Sequence, residues 1–238
     1  MKKKIDIAKV LYYIVLVTLI LSIVYVSIRI YDAPVSGDDV GIRTKSSYAL
    51  MFVQCLLGLV ALSLPDIFAK KFLKQIPTNM LILYFIFLYC AIYLGEVRDF
   101  YYRFEYWDAM LHTFSGAMLG ALGFSFVTLL NKVDKIPINL SPFFVCLFAF
   151  CFAITIGVAW EIYEFSFDGL LHLNMQKFMT EEGVELVGRA ALSDTMSDLI
   201  VDAIGAFIIS VLGYISLKYK KIFINRFHFG SSEKDSMI

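Results

Sequence analysis

Residues 141–168 read SPFFVCLFAFCFAITIGVAWEIYEFSFD, and this stretch decides the fold. From Pro142 to Trp160 it carries no charged side chain. A helix crossing the hydrocarbon core of a bilayer needs about 20 mostly apolar residues. Three acids then follow: Glu161, Glu164 and Asp168 stand at i, i+3 and i+7, on one face of a continuing helix. An apolar span ending in a one-sided acidic stripe is a membrane helix with something polar to face.

The same reading extends along the chain. Spans are expected at about 10–30, 48–64, 78–95, 109–130, 141–163 and 199–217, separated by polar or Pro- and Gly-bearing breaks such as 32–39, the surroundings of Pro65 and Pro77, and 136–137. Of the 238 residues 59% are hydrophobic and 18% charged, with a mean hydropathy of +0.73. That balance excludes disorder, collagen, a coiled coil and a disulfide-stapled secreted domain, and it argues against a soluble globule. The expected fold is all-α: one polytopic domain over residues 1–238 with six transmembrane helices, ending in a basic tail at 218–238. The apolar run after Lys2, Lys3 and Lys4 is longer than a signal-peptide core, so the first span is expected to be an uncleaved helix.

Charge orients it. With the N-terminus cytoplasmic, the inner side carries 14 Lys and Arg and five acids, and the outer side seven and sixteen. The formal net charge of zero is thus the sum of +9 inside and −9 outside. Both termini are therefore expected in the cytoplasm of a bacterial inner membrane, beside anionic lipid and with no nucleic acid as partner. Cys55, Cys90, Cys146 and Cys151 all fall in spans, without metal-ligand spacing, and read as small apolar side chains.

The outer acids are patterned. Span four opens WDAMLHTFSG (107–116), with Asp108, His112 and Gly116 four apart. Span six opens DTMSDLIVD (194–202), with Asp194, Asp198 and Asp202 four apart and descending about 12 Å along the helix. With Glu161, Glu164 and Asp168 these make three stripes at one membrane side. An ionised carboxylate at a helix centre costs roughly 2.5–3.5 kcal/mol on the insertion scale, so the stripes are expected to turn onto one another. Gly116 and Gly120, and Ala206, Ser210 and Gly213, would let the helix backbones approach. Asp194 suits a helix N-cap as well as a site, and Tyr101, Tyr102, Tyr106, Trp107 and Trp160 read as an interfacial aromatic belt.

At Trp107-Asp108, His112, Ser115-Gly116, Trp160-Glu161, Glu164, Asp194-Thr195, Asp198 and Gly205 the chain resembles the YjdF-like family of uncharacterised bacterial inner-membrane proteins. It is more distantly similar to VanZ-like membrane proteins, which are linked with glycopeptide-antibiotic tolerance. Their pattern also sets Asp and His on one helix, Glu on the next and Asp on a third; here Glu164 and Asp202 stand where that pattern has amide side chains. The YjdF-like resemblance implies the architecture and the site, without a reaction.

The residues themselves suggest an outward-facing pocket for a divalent cation. Asp108, His112, Glu161, Asp198 and Asp202 are the expected ligands, with Glu164, Asp168 and Asp194 around them. Carboxylates with one imidazole suit Mg, Mn or Ca better than structural zinc. If the site is catalytic, metal-assisted hydrolysis or transfer on a lipid-linked phosphate or lipid headgroup at the outer leaflet fits it, with Arg98, Arg103 or Arg189 holding phosphate. A proton- or cation-coupled transporter is the rival expectation, and a non-catalytic component whose acids fix helix packing is the third. The connection 169–193 is expected to form an amphipathic helix over the pocket.

Overall fold

The apolar runs form long helices in the computed structural model, which describes residues 6–35, 43–71, 77–130, 140–180 and 184–219. In chain order these are α1 (Ile7–Asp32), α2 (Lys45–Lys71), α3 (Thr78–Leu88) continuing as a π-helical segment (Tyr89–Val97), a one-turn α4 (Phe100–Arg103), α5 (Trp107–Leu130), α6 (Pro142–Leu171) and α7 (Ser193–Tyr219). Among the described residues, six stretches are long and apolar enough to cross a membrane: Ile7–Asp32, Lys45–Ile67, Thr78–Val97, Trp107–Val127, Pro142–Leu171 and Ser193–Tyr219. The protein is a multi-pass helical membrane protein. Most of the basic residues behind the expected orientation, including Lys2, Lys3, Lys4, Lys74, Lys132, Lys135 and the tail from Lys220, lie outside the described residues.

The first three spans pack as one unit. Val15, Leu19, Ser22 and Val26 form a buried seam on α1 at spacings of three and four. Met51, Cys55 and Leu62 of α2 and Phe85 and Leu88 of α3 meet it. The break expected near Pro65 does not occur, because α2 runs through that proline to Lys71. Proline has no N–H for the carbonyl four residues back, and in lipid that carbonyl needs another donor. The Tyr84 hydroxyl of α3 supplies it, donating to the Ala61 carbonyl at 2.8 Å.

The last three long helices form the second unit, and here small residues set the distance between helices. At Gly116 an added methyl would strike the backbone of Asp202, and at Gly205 it would strike the Thr113 carbonyl and the Ala117 nitrogen. α5 and α7 therefore touch backbone to backbone. Beyond the apolar spans, α6 continues to Leu171 and α7 begins at Ser193, so both acidic stripes lie on helix as their spacing requires. The acidic stripes are what lengthen them. Glu161, Glu164, Asp168 and Asp198 are buried among the helices, so the polar turns stay wound instead of unravelling into water. The amphipathic helix expected in 169–193 is not formed: residues 172–180 and 184–192 are irregular, with an isolated antiparallel bridge between Met179 and Glu185. Glu181 and Glu182 lie outside the described residues.

Candidate functional site

α5 and α7 run parallel, with Gly116 against Asp202, Gly120 against Ala206 and Phe124 against Gly213, so the first turns of both lie at the same membrane face as the last turns of α6. Asp108 and His112, one turn apart on α5, meet Asp198 of α7. One ligand atom from each lies within 4.8 Å of the others. His112 is 7% exposed and Asp198 3%, while Asp108 is half-buried, so two of the three are withdrawn from their surroundings.

Each imidazole nitrogen has its own neighbour. Nδ1 lies 3.3 Å from Asp202 Oδ2, and Nε2 lies 3.6 Å from Asp108 Oδ1. The other Asp202 oxygen accepts from the Ser115 hydroxyl at 3.1 Å. Gly157 of α6 faces this carboxylate, where a methyl would come within 2.5 Å of Asp202 Oδ2. Asp202 is therefore locked between two α5 side chains and a glycine of α6. An imidazole whose Nδ1–H is given to a carboxylate presents Nε2 as its free lone pair, the arrangement that orients metal-ligating histidines.

The α6 acids close the third side. Glu161 accepts from the Gln176 amide at 3.4 Å, and the same amide reaches Thr195 Oγ1 at 2.9 Å. Glu164 accepts the Trp160 indole N–H at 2.9 Å. Asp168 serves the chain itself, accepting the backbone N–H groups of Met175 at 2.8 Å and Gln176 at 3.0 Å. Glu161 and Asp202 stand beside the trio without joining the set of atoms that all lie within 4.8 Å of one another, although Asp202 contacts His112. Two buried carboxylate oxygens in the cluster, Asp198 Oδ2 and Glu161 Oε1, have no hydrogen-bond partner among the described residues, and neither has Asp194 Oδ2.

Lys177 was missed by sequence reasoning beyond its place in the outer charge count. Its ammonium lies 2.6 Å from Asp108 Oδ2 and 2.9 Å from Asp194 Oδ1, joining α5 to the first turn of α7. Burial works against this charge, yet Asp108 and Asp194 more than offset it and hold the lysine above its ordinary pKa. It stays an ammonium throughout the physiological range. Tyr101, outside the spans, feels the same acids: burial first, then Asp108, Glu96, Glu164 and Asp198, push its phenol well above the usual value. No local signal marked Lys177, since a lysine in an outer loop normally stands in water.

The aromatic belt divides. Tyr102, Tyr106 and Trp160 are exposed, whereas Tyr101 covers Gly95 and Trp107 has a buried indole nitrogen without a partner. The arginines stay off the cluster. Arg103 is exposed and 3.9 Å from Asp99, and Arg98 and Arg189 are exposed with no ion pair among the described residues. Asp99 also binds Arg43, whose guanidinium reaches the Glu96 carbonyl at 2.7 Å. Glu96 accepts from Gln54 at 3.1 Å, so the first unit has a small polar contact of its own. A groove of about 350 Å³ between α6 and α7 is lined by Phe150, Ile200, Ala203, Ile204 and Phe207, all apolar. It is a lipid-facing surface, separate from the acids.

A six-span helical bundle with an acid and histidine cluster at one membrane face thus defines a class of polytopic membrane protein. Within that class the chain belongs to the DUF2238 family of predicted membrane proteins, which matches residues 10–219. The YjdF-like resemblance fits this family. A Thermotoga maritima protein described as uncharacterized is 27% identical over 153 residues, covering 63% of this chain and 69% of the relative. No solved structure matches the chain.

Proposed function

We propose that Asp108, His112 and Asp198 bind a divalent cation at the extracytoplasmic end of α5 and α7. The observation that carries this reading is the Asp198 carboxylate. It is almost fully buried, it stands in a trio of ligand atoms within 4.8 Å of one another, and one of its oxygens has no partner. A buried ionised oxygen without a partner is costly, and a cation removes that cost. In this reading His112 coordinates through Nε2, while Asp202 and Ser115 fix the ring. Glu161, Glu164, Asp168 and Asp194 set the field and the loop around it. The donors are two carboxylates and an imidazole, which favours Mg²⁺, Mn²⁺ or Ca²⁺.

A cation held by three protein groups keeps coordination positions for an outside ligand. At the outer leaflet the fitting class is a lipid-linked phosphate or phosphorylated headgroup, whose phosphoryl oxygen the metal would polarise. The order of Asp and His, then Glu, then Asp over three helices is also the feature shared with the VanZ-like pattern. Transport is the weaker reading, because further toward the other face the buried polar groups of α5 and α7 among the described residues are the hydroxyls of Ser125, Ser210 and Ser216. These carry no charge for a cation to follow.

The test is Mn²⁺ titration of the purified protein by calorimetry and by loss of the free-ion spin-resonance signal. One saturable site is expected in the wild type, with its affinity reduced at least about tenfold in Asp198→Asn. A wild type without saturable binding, or an Asp198→Asn variant that binds equally well, would end the reading. Turnover of polyprenyl phosphates or glycerophospholipids with Mn²⁺ present tests the substrate class separately.

A further inference from the structure

The geometry points to Lys177 as a tethered cation that guards this site: its ammonium occupies the mouth of the acid cluster, and a divalent ion binds by displacing it. The inference rests on the cation-site reading and adds how access to the site is controlled.

The segment that carries Lys177 is built to hold it in place. α6 ends at His172 in a left-handed conformation, with φ of 52°. The chain then turns back, and Asp168 takes the backbone N–H groups of Met175 and Gln176. The Asn174 side chain closes the turn on both sides of Met179, accepting from its N–H at 2.9 Å and donating to its carbonyl at 2.8 Å. Leu173 is buried beneath, and the Gln176 amide pins the turn to Thr195. Lys177 itself has φ of 47°, a left-handed conformation that side chains other than glycine seldom adopt. Such strain persists where surrounding contacts impose it, and the contacts here are the two carboxylates that grip the ammonium.

Asp108 is the shared element. Its Oδ2 receives Lys177, while its Oδ1 faces His112 Nε2 in the ligand trio. A dication in the trio would therefore sit one carboxylate away from an ammonium, in a buried setting where like charges repel strongly. Either cation satisfies Asp108, and the two oppose each other there. Binding a metal must loosen Lys177, and release of Lys177 unclamps the turn at 173–179 from α5 and α7. The site is then shut by its own lysine when no metal is present and opens to a ligand when metal arrives.

The experiment combines Mn²⁺ affinity with the reactivity of one amine. Lys177→Met is expected to bind Mn²⁺ about tenfold or more tightly than wild type, and Lys177→Arg, which keeps the charge, about as wild type does. In the unaltered protein, acylation of Lys177 by a small amine reagent, read by mass spectrometry, is expected to rise several-fold on saturation with Mn²⁺ and not to rise in Asp198→Asn. The acylation arm needs no variant at position 177, so a misfolded Lys177→Met does not block the test. Equal or weaker binding by a folded Lys177→Met, or acylation unchanged by Mn²⁺ in a protein that binds it, overturns the guard while leaving the cation site standing. Absence of Mn²⁺ binding in the wild type and in both Lys177 variants overturns the two together.

Discussion

In the α1–α3 unit, Val15, Leu19 and Val26 interlock with Met51, Cys55 and Phe85, so the helices meet through side chains. In the α5–α7 unit, Gly116 and Gly205 bring two backbones into contact, and the space at one membrane face is given to Asp108, His112, Asp198 and Asp202. Within a bilayer neither arrangement gains from excluding water in the apolar region, so packing and polar contacts must do the work. The difference shows what close backbone approach provides. It sets the opposing carboxylates and the imidazole on helix backbones that touch, with no flexible side chains between them. One unit supports the protein in the membrane, and the other holds chemistry in position.

The largest test of that contrast is a matched pair of methyl additions. At Gly205 the new carbon would meet the Thr113 carbonyl and the Ala117 nitrogen, both backbone. At Gly58 of α2 it would meet the tips of Ile92 and Leu19, which can rotate away. Gly205→Ala is expected to cost about 3 kcal/mol or more, and Gly58→Ala below about 1 kcal/mol. Thermal unfolding in detergent micelles reads both. Similar losses at the two positions would mean that the units pack alike, and the distinction would fall.

A smaller effect separates the polar contacts of the two units. Asp202 orients His112, and losing such an outer partner typically weakens metal binding about 10–100-fold. Asp202→Asn is therefore expected to lower Mn²⁺ affinity by about that factor. Gln54→Leu, which breaks the contact to Glu96 in the first unit, is expected to leave the affinity within about twofold. A Gln54 effect as large as that of Asp202 would tie the first unit to the site.

Much of this was legible in the residues. Six spans follow from apolar length alone, and the i, i+4, i+8 row of Asp194, Asp198 and Asp202 announces a polar face that lipid would not accept. Gly116 and Gly120 on one helix and Ala206, Ser210 and Gly213 on another pointed to the interface where the acid rows meet, while the tightest contact on α7, at Gly205, was not singled out for packing. What stayed hidden depends on tertiary register. Nothing local tells that the loop turns Lys177 inward, because the anchoring acid, Asp168, is nine residues away and looks like one more member of its stripe. The division of labour between Asp198, left with a free oxygen, and Asp202, spent on His112 and Ser115, is likewise set by rotation of α7 against α5. Spacing makes the two aspartates equivalent; packing does not. Arg98, Arg103 and Arg189 are exposed, an orientation that sequence position alone does not disclose.

Pro65 offers the finest test, because it asks whether the first unit also depends on a single polar contact. The helix continues through that proline, and the Ala61 carbonyl receives the Tyr84 hydroxyl in place of a backbone N–H. Tyr84→Phe is expected to cost about 0.6–1 kcal/mol, the usual range for a hydrogen bond between membrane helices. In a Pro65→Ala background the residue at 65 regains its N–H and can satisfy Ala61 itself. There Tyr84→Phe is expected to cost little, so the two changes should be clearly non-additive in a double-mutant cycle. A Tyr84→Phe penalty that is the same in both backgrounds would show the hydroxyl acting through packing, and the continuity of α2 would then owe nothing to α3.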